Sequence, residues 1–144
     1  MYSRILFLDF DGVLNSEQSA HWCHKRGVEN GGFSPRNPEF CPYSVNNLEY
    51  ILKEYPDLKI VVSSAWRLGR TVEELQELLF KYANVPKDRV IDKTKTLRNF
   101  SDDRGYEIQD WLDRNPTEKF CIVDDDSDML HLLPKLVQTS WRGV

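Results

Sequence analysis

The stretch Ile5 to Ser16, ILFLDFDGVLNS, passes without a break from four apolar residues to Asp9 and Asp11 and then to Gly12. A short apolar run bounded by Asp and Gly reads as a buried strand that ends where the acids begin, because Asp is disfavoured inside a sheet. Gly12 permits the sharp turn that would aim both carboxylates into a cleft. Two carboxylates this close repel each other, and a shared proton or a bound cation relieves the charge. Taken alone, the same residues also fit a solvated acidic turn with an Asp capping a helix.

Further along, FCIVDDDSD (residues 120–128) repeats the arrangement, an apolar strand running straight into Asp124, Asp125, Asp126 and Asp128. Four carboxylates within five positions cannot all be buried and unpaired, and oxygen-rich sets of this kind suit Mg²⁺. Three more apolar runs, Ile60–Val62, Val90–Ile91 and Leu136–Val137, complete a set of five candidate strands. Between them lie helical patterns. Val45, Leu48, Ile51, Leu52 and Tyr55 recur behind Ser44, the expected N-cap. Thr71 and Glu74 form a capping box ahead of Val72, Leu75, Leu78, Leu79 and Tyr82. Ile108, Trp111 and Leu112 mark a third helix, and Met129, Leu132 and Leu133 a shorter one. Alternating strand and helix predicts an α/β fold, a Rossmann-like three-layer sandwich around a central five-stranded parallel sheet. Ligands bind such sheets beyond the carboxyl ends of the strands, which is where Asp9, the Ser63–Ser64 pair and the second acidic run all fall.

At 144 residues, with 40% hydrophobic and 29% charged side chains, the chain has the size and composition of one globular domain spanning 1–144. It has no apolar run near the roughly 20 residues that cross a bilayer and no signal-peptide core, so a cytoplasmic protein without a membrane partner is expected, a monomer or weak dimer. Three cysteines, Cys23, Cys41 and Cys121, are too few and too odd for a disulfide framework. The net charge of −4 argues against bulk electrostatic binding of nucleic acid and leaves room only for a local basic patch.

One segment breaks the alternation. Residues 17–43 carry Gly, Pro, His and aromatics without periodicity and read as a flap, or minimal cap, inserted after the first strand. His21, Cys23, His24 and Cys41 offer four zinc ligands, but their spacing is irregular and adjacent Cys23 and His24 would find it hard to share one ion. The flap reading instead uses Lys25, Arg26 and Arg36 as positive charge, with Trp22, Phe33, Phe40 and Tyr43 as a small core or stacking faces.

Together DGVLNS, VVSSAWR, DKT, RGYEIQDWL, IVDDDSD and LVQT resemble the haloacid dehalogenase superfamily of phosphohydrolases, in the small phage and bacterial branch described as the phosphatase-like domain of RNA-repair proteins. The resemblance implies a Mg²⁺-dependent phosphomonoesterase with Asp9 as nucleophile and Asp11 as general acid and base. It implies that Mg²⁺ is held by Asp9, by the backbone carbonyl of Asp11 and by Asp125 as the favoured direct ligand, with Asp124 a second ligand or the holder of a metal-bound water and Asp128 orienting one of these. Ser63 would hold a phosphoryl oxygen, with Ser64 competing for that role and the Gly12 turn close to the substrate. A cation must neutralise the phosphate: Arg104 is favoured, Lys93 is second, and Lys95 and Arg98 also qualify. Arg67 either contacts a second phosphate or pairs with an acid of the helix after it, and Trp66 reads as core. A minimal cap implies an open cleft suited to a phosphorylated substrate such as a nucleotide or polynucleotide 3′-phosphate end. Alternatives are a phosphatase for a small metabolite and a non-catalytic phosphate-binding module. In a receiver domain, the phosphorylated Asp would lie on a later strand.

Overall fold

The computed structural model describes residues 1–15, 40–97 and 104–140. Among them β1 (Tyr2–Leu8), β2 (Leu58–Val62), β3 (Val90–Lys93), β4 (Thr117–Asp124) and β5 (Leu136–Gln138) form a five-stranded sheet in the order β3-β2-β1-β4-β5, with every neighbouring pair parallel. The expected α/β architecture is therefore present. The chain winds outward from β1 through β2 to β3 and then returns to the far side of β1 with β4 and β5, so the winding reverses between β1 and β4. Connections diverge at such a reversal and leave a crevice at the carboxyl ends. Asp9 and Asp124 stand on its two sides.

Strand side chains alternate between the two faces. Leu6, Leu8, Ile60 and Val62 pack on one face against Val45, Leu48 and Leu52 of α1 (Pro42–Glu54) and Leu75, Leu79 and Ala83 of α2 (Val72–Ala83). Ile5, Phe7, Val61 and Ile122 pack on the other face against Ile108 and Trp111 of α3 (Arg104–Arg114) and against Met129 and Leu132. The Phe7 and Trp111 rings meet edge to face at 5.5 Å, and the indole donates to Asp92 Oδ2 at 2.8 Å, so α3 is fastened to both β1 and β3. Asp9 continues the alternation of Ile5 and Phe7, and Asp124 that of Ile122. Both carboxylates therefore emerge on the α3 side.

Two local expectations are corrected. α1 starts before Ser44: Cys41 is its N-cap and Pro42 occupies the first turn, where a fixed φ and a missing N–H cost nothing. Pro42 and Tyr43, read as part of the flap, thus belong to α1; residues 16–39, with His21, Cys23 and His24, lie outside the described residues. Cys41 is a half-buried free thiol. The short helix through Met129, Leu132 and Leu133 is a 3₁₀ segment, Leu130–Lys135, entered through Leu130 at φ 54° and containing Pro134, which has no N–H to donate to the turn before it. The Thr71–Glu74 capping box forms as read, and α2 ends on Asn84 in the left-handed conformation. No helix of the described residues is long and apolar enough to cross a membrane.

Candidate active site

Each strand end at the crevice extends the sheet by one more backbone hydrogen bond, which fixes the first residue after it. Asp9 N donates to Val123 O at 3.1 Å, Ser63 N to Leu8 O at 2.9 Å, and Thr94 N to Val62 O at 3.0 Å. The Asp9 carboxylate is 2% exposed, and its Oδ1 accepts from Phe10 N at 2.8 Å and lies 3.3 Å from Arg104 Nη1. The same guanidinium nitrogen donates to Asp124 Oδ2 at 2.9 Å and to Ser63 O at 2.7 Å, joining the ends of β1, β2 and β4. Asp124 Oδ1 accepts from Asp126 N at 3.0 Å.

Among the described residues, Asp9, Asp124 and Asp125 place one carboxylate oxygen each within 4.8 Å of the others. Gly12 makes this possible: it adopts φ +78°, and a Cβ there would lie 2.7 Å from the Asp125 Cβ. The glycine thus admits Asp125 to the cluster. Burial first, and then the Asp9 charge, push the Asp124 carboxyl up to about 8 against the pull of Arg104. Burial and Asp9 raise Asp125 as well. Burial opposes the charge on Arg104, but Asp9 and Asp124 outweigh it and hold that group above its ordinary value. Three crowded carboxylates with hard oxygen donors fit a small dication such as Mg²⁺, whose charge would remove the mutual repulsion.

Ser63 and Ser64 have different surroundings. The Ser64 hydroxyl is fully buried and accepts from Trp66 N at 3.2 Å, capping the 3₁₀ turn Ala65–Arg67. The Ser63 hydroxyl is also buried but, among the described residues, has no hydrogen-bond partner.

The cations separate in the same way. Arg104 reaches the acids. Lys93 Nζ donates to Arg70 O at 2.5 Å, Lys95 is exposed, and Arg98 lies outside the described residues. Arg67 is 6% exposed, and its three nitrogens bind Thr94 O, Ser64 O and Glu107 Oε2 at 2.8–2.9 Å. Its ion-pair partner comes from α3 rather than from α2, the helix that follows it, and the pair braces the turn after β2 against α3. Asp128 Oδ2 accepts from Arg104 N at 3.3 Å and its backbone O from Gly105 N at 3.1 Å. It holds the first turn of α3, where Gly105 is required because a Cβ would lie 2.5 Å from Met129 O.

Sequence reasoning missed two contacts. Asp11 Oδ1 accepts from Asn15 Nδ2 at 2.9 Å and from Trp66 Nε1 at 3.0 Å, although Trp66 reads as a core aromatic. Asn15 follows Asp11 by four residues on the same turn, a spacing that could have suggested the first bond. Nothing in the sequence joins Trp66 to Asp11, 55 positions away. An open cavity of about 310 Å³ adjoins Arg104 and is lined by Ala65, Thr96, Glu107, Asp126 and Asp128 among others.

No curated protein matches the chain in sequence. Among solved structures, the HAD domain of effector protein Lem4 from Legionella pneumophila is similar in fold, at a TM-score of 0.53 and 18% identity over 96% of this chain and 86% of that one. A structure of an inactive mutant of the same domain aligns at the same score and identity over 97% and 87%. The family model described as the HAD domain in Swiss Army Knife RNA repair proteins matches residues 5–143, taking in both acidic strand ends, the Ser63 turn and α3, and on that extent the chain belongs to this family of the haloacid dehalogenase superfamily.

Proposed function

We propose that the protein is a Mg²⁺-dependent phosphomonoesterase that works through an aspartyl-phosphate on Asp9, with nucleotide or polynucleotide 3′-phosphate ends as its substrates. The observation that carries this reading is the Asp9 carboxylate, set at the reversal of the sheet between the Arg104 guanidinium and the other two acids of the cluster. A buried hydroxyl without a partner at Ser63 supports it. The RNA-repair context in the family's description supports the substrate class, and a cytoplasmic location would fit it.

Asp9, Asp124 and Asp125 would hold the Mg²⁺, which when bound supplies positive charge against the repulsion between nucleophile and phosphate. The chemistry then falls to this chain's own groups. An Asp9 oxygen attacks phosphorus while the bond to the ester oxygen breaks, and protonated Asp11 gives its proton to that leaving oxygen. Asp11 next takes a proton from water as the water oxygen attacks the phosphorus, and the bond to Asp9 breaks to release phosphate. Arg104 and the Ser63 hydroxyl balance charge on the phosphoryl oxygens.

The test is phosphate release by the purified protein, with Mg²⁺ and with chelator, from 3′- and 5′-phosphorylated oligonucleotides, mononucleotides and sugar phosphates. Metal-dependent release from 3′ ends is the expected result. Preference for sugar phosphates would overturn the substrate class and keep the reaction. No release from any of them by folded protein that binds Mg²⁺ would overturn the reaction.

A further inference from the structure

We infer that Trp66 is a positioning residue for Asp11, holding the carboxylate that exchanges the proton so that one of its oxygens faces the leaving group. This rests on the phosphomonoesterase reading above, because it assigns a task within that reaction.

The geometry is specific. Asp11 is exposed at the mouth of the crevice, and an exposed Asp side chain rotates freely unless something holds it. Both of its hydrogen bonds from the described residues fall on the same oxygen, Oδ1, from Trp66 Nε1 at 3.0 Å and Asn15 Nδ2 at 2.9 Å. Oδ2 is left to carry the proton. Two donors arriving from different elements fix the plane of the carboxylate as well as its position, which one donor cannot do.

Each donor is itself held. Asn15 is 5% exposed, and its Oδ1 accepts from Gly12 N at 3.0 Å. The Trp66 ring packs on Phe10 and Phe40 at centroid distances of 6.0 and 6.4 Å, and the Arg70 guanidinium lies 5.4 Å from its centre. Its backbone N–H is bound by Ser64, whose neighbour Ser63 bears the unpartnered hydroxyl. The turn Ala65–Arg67 thus links the proposed phosphate-binding residue to the proposed proton donor. An indole is well suited to this place, since it donates without accepting and cannot take the proton from Asp11.

During the first step the proton moves from Asp11 Oδ2 to the ester oxygen as the bond from phosphorus to that oxygen breaks and the bond from Asp9 to phosphorus forms. An alkoxide leaving group needs that proton. A nitrophenolate does not, since it leaves as a stable anion. Loss of the Trp66 N–H should therefore slow hydrolysis of an alkyl ester much more than that of an aryl ester.

The experiment compares kcat/KM, which stops at release of the ester oxygen and leaves out the water step common to both esters, for a 3′-phosphorylated oligonucleotide and for nitrophenyl phosphate in the unsubstituted protein, in Trp66→Phe and in Asp11→Asn with and without Trp66→Phe. The expected result for Trp66→Phe is a fall of about tenfold in the ratio of alkyl to aryl kcat/KM, a fraction of the 10²–10⁴ that general acid catalysis supplies. Mg²⁺ affinity should change little, and the ratio should show no further change when Trp66→Phe is added to Asp11→Asn. Partial unfolding lowers both rates equally and leaves the ratio alone. Should Trp66→Phe fail to fold, 3-benzothienylalanine at position 66 keeps the bicyclic ring and removes only the N–H. Equal loss on both esters would overturn the inference while leaving the reaction standing. Failure of the unsubstituted protein to hydrolyse either ester would overturn the reaction, and the inference with it.

Discussion

Replacing Gly12 with alanine tests the proposed metal site without touching a carboxylate. The residue sits at φ +78°, where a side chain costs about 1–2 kcal/mol of backbone strain. The smaller entropy of the unfolded Ala chain offsets about 0.4–1 kcal/mol of that. The new methyl would also lie 2.6 Å from the Asp125 Cγ and 2.7 Å from its Cβ. The second distance matters most, because rotating the carboxylate does not move its Cβ, so the Asp125 backbone must retreat from Asp9 and Asp124. Retreat relieves repulsion in the metal-free protein, and the expected net destabilisation with chelator present is only about 1 kcal/mol, a fall in Tm of about 2–4 °C. Metal binding should suffer far more, by about 10–100-fold in Kd, the scale on which disturbed metal sites respond. At a Mg²⁺ concentration one hundred times the unsubstituted protein's Kd, binding stabilises that protein by about 2.7 kcal/mol, or about 5–11 °C. In Gly12→Ala the same addition should raise Tm by about half as much or less. Thermal melts with chelator and with Mg²⁺, alongside calorimetric titration, measure both quantities. An unchanged Mg²⁺-induced rise in a Gly12→Ala protein would refute the placement of Asp125 among the ligands.

Three other outcomes follow from the same geometry. Asp9→Asn should fold and lose turnover, because the amide is similar in size but a poor nucleophile; normal phosphate release by metal-replete Asp9→Asn protein would sink the aspartyl-phosphate route. Arg67→Met should lower stability by about 3–5 kcal/mol, or about 6–20 °C in Tm, by leaving Glu107 buried and unpaired, and a Tm within a degree of the original would show the pair to be dispensable. With chelator present, stability should fall as pH rises from about 4 to about 8: the Asp124 carboxyl keeps its proton up to about 8 in the folded chain but loses it near 3.8 when unfolded, so the folded state binds more protons throughout that window. Mg²⁺ should therefore raise Tm more at pH 8 than at pH 5, and melts showing the reverse would contradict this assignment of charge.

The strands and acidic turns were legible because each is written locally. An apolar run ending in Asp needs no distant partner to be recognised, and the Thr71–Glu74 box closes within three residues. What depended on pairing across the fold was not legible. Arg67 could not be assigned to Glu107 from sequence, because the two meet only when the turn after β2 packs on α3, 40 positions later. Ser63 and Ser64 are equivalent as letters, and the direction of the turn decides which hydroxyl caps it and which is left without a partner. Trp66 reads as core in the sequence, and its ring is packed on Phe10 and Phe40; its N–H alone is functional in our reading, and apolar patterning carries no information about one atom.

The charges of the cluster tie its stability to its chemistry. Asp9, Asp124 and Asp125 against Arg104 amount to two uncompensated negative charges if every carboxyl is ionised. A buried site cannot hold that imbalance cheaply, and the chain alone responds by keeping a proton on Asp124 at neutral pH. A bound dication would supply the missing charge and allow that proton to leave. Arg104 cannot take over this role, since one guanidinium carries one charge and is already shared between β1 and β4. The division of labour then follows from electrostatics: the metal would balance the acids, and Arg104, fixed at the first turn of α3 by Asp128 and by the close approach that Gly105 allows, would hold the nucleophile's position while the charge around it changes.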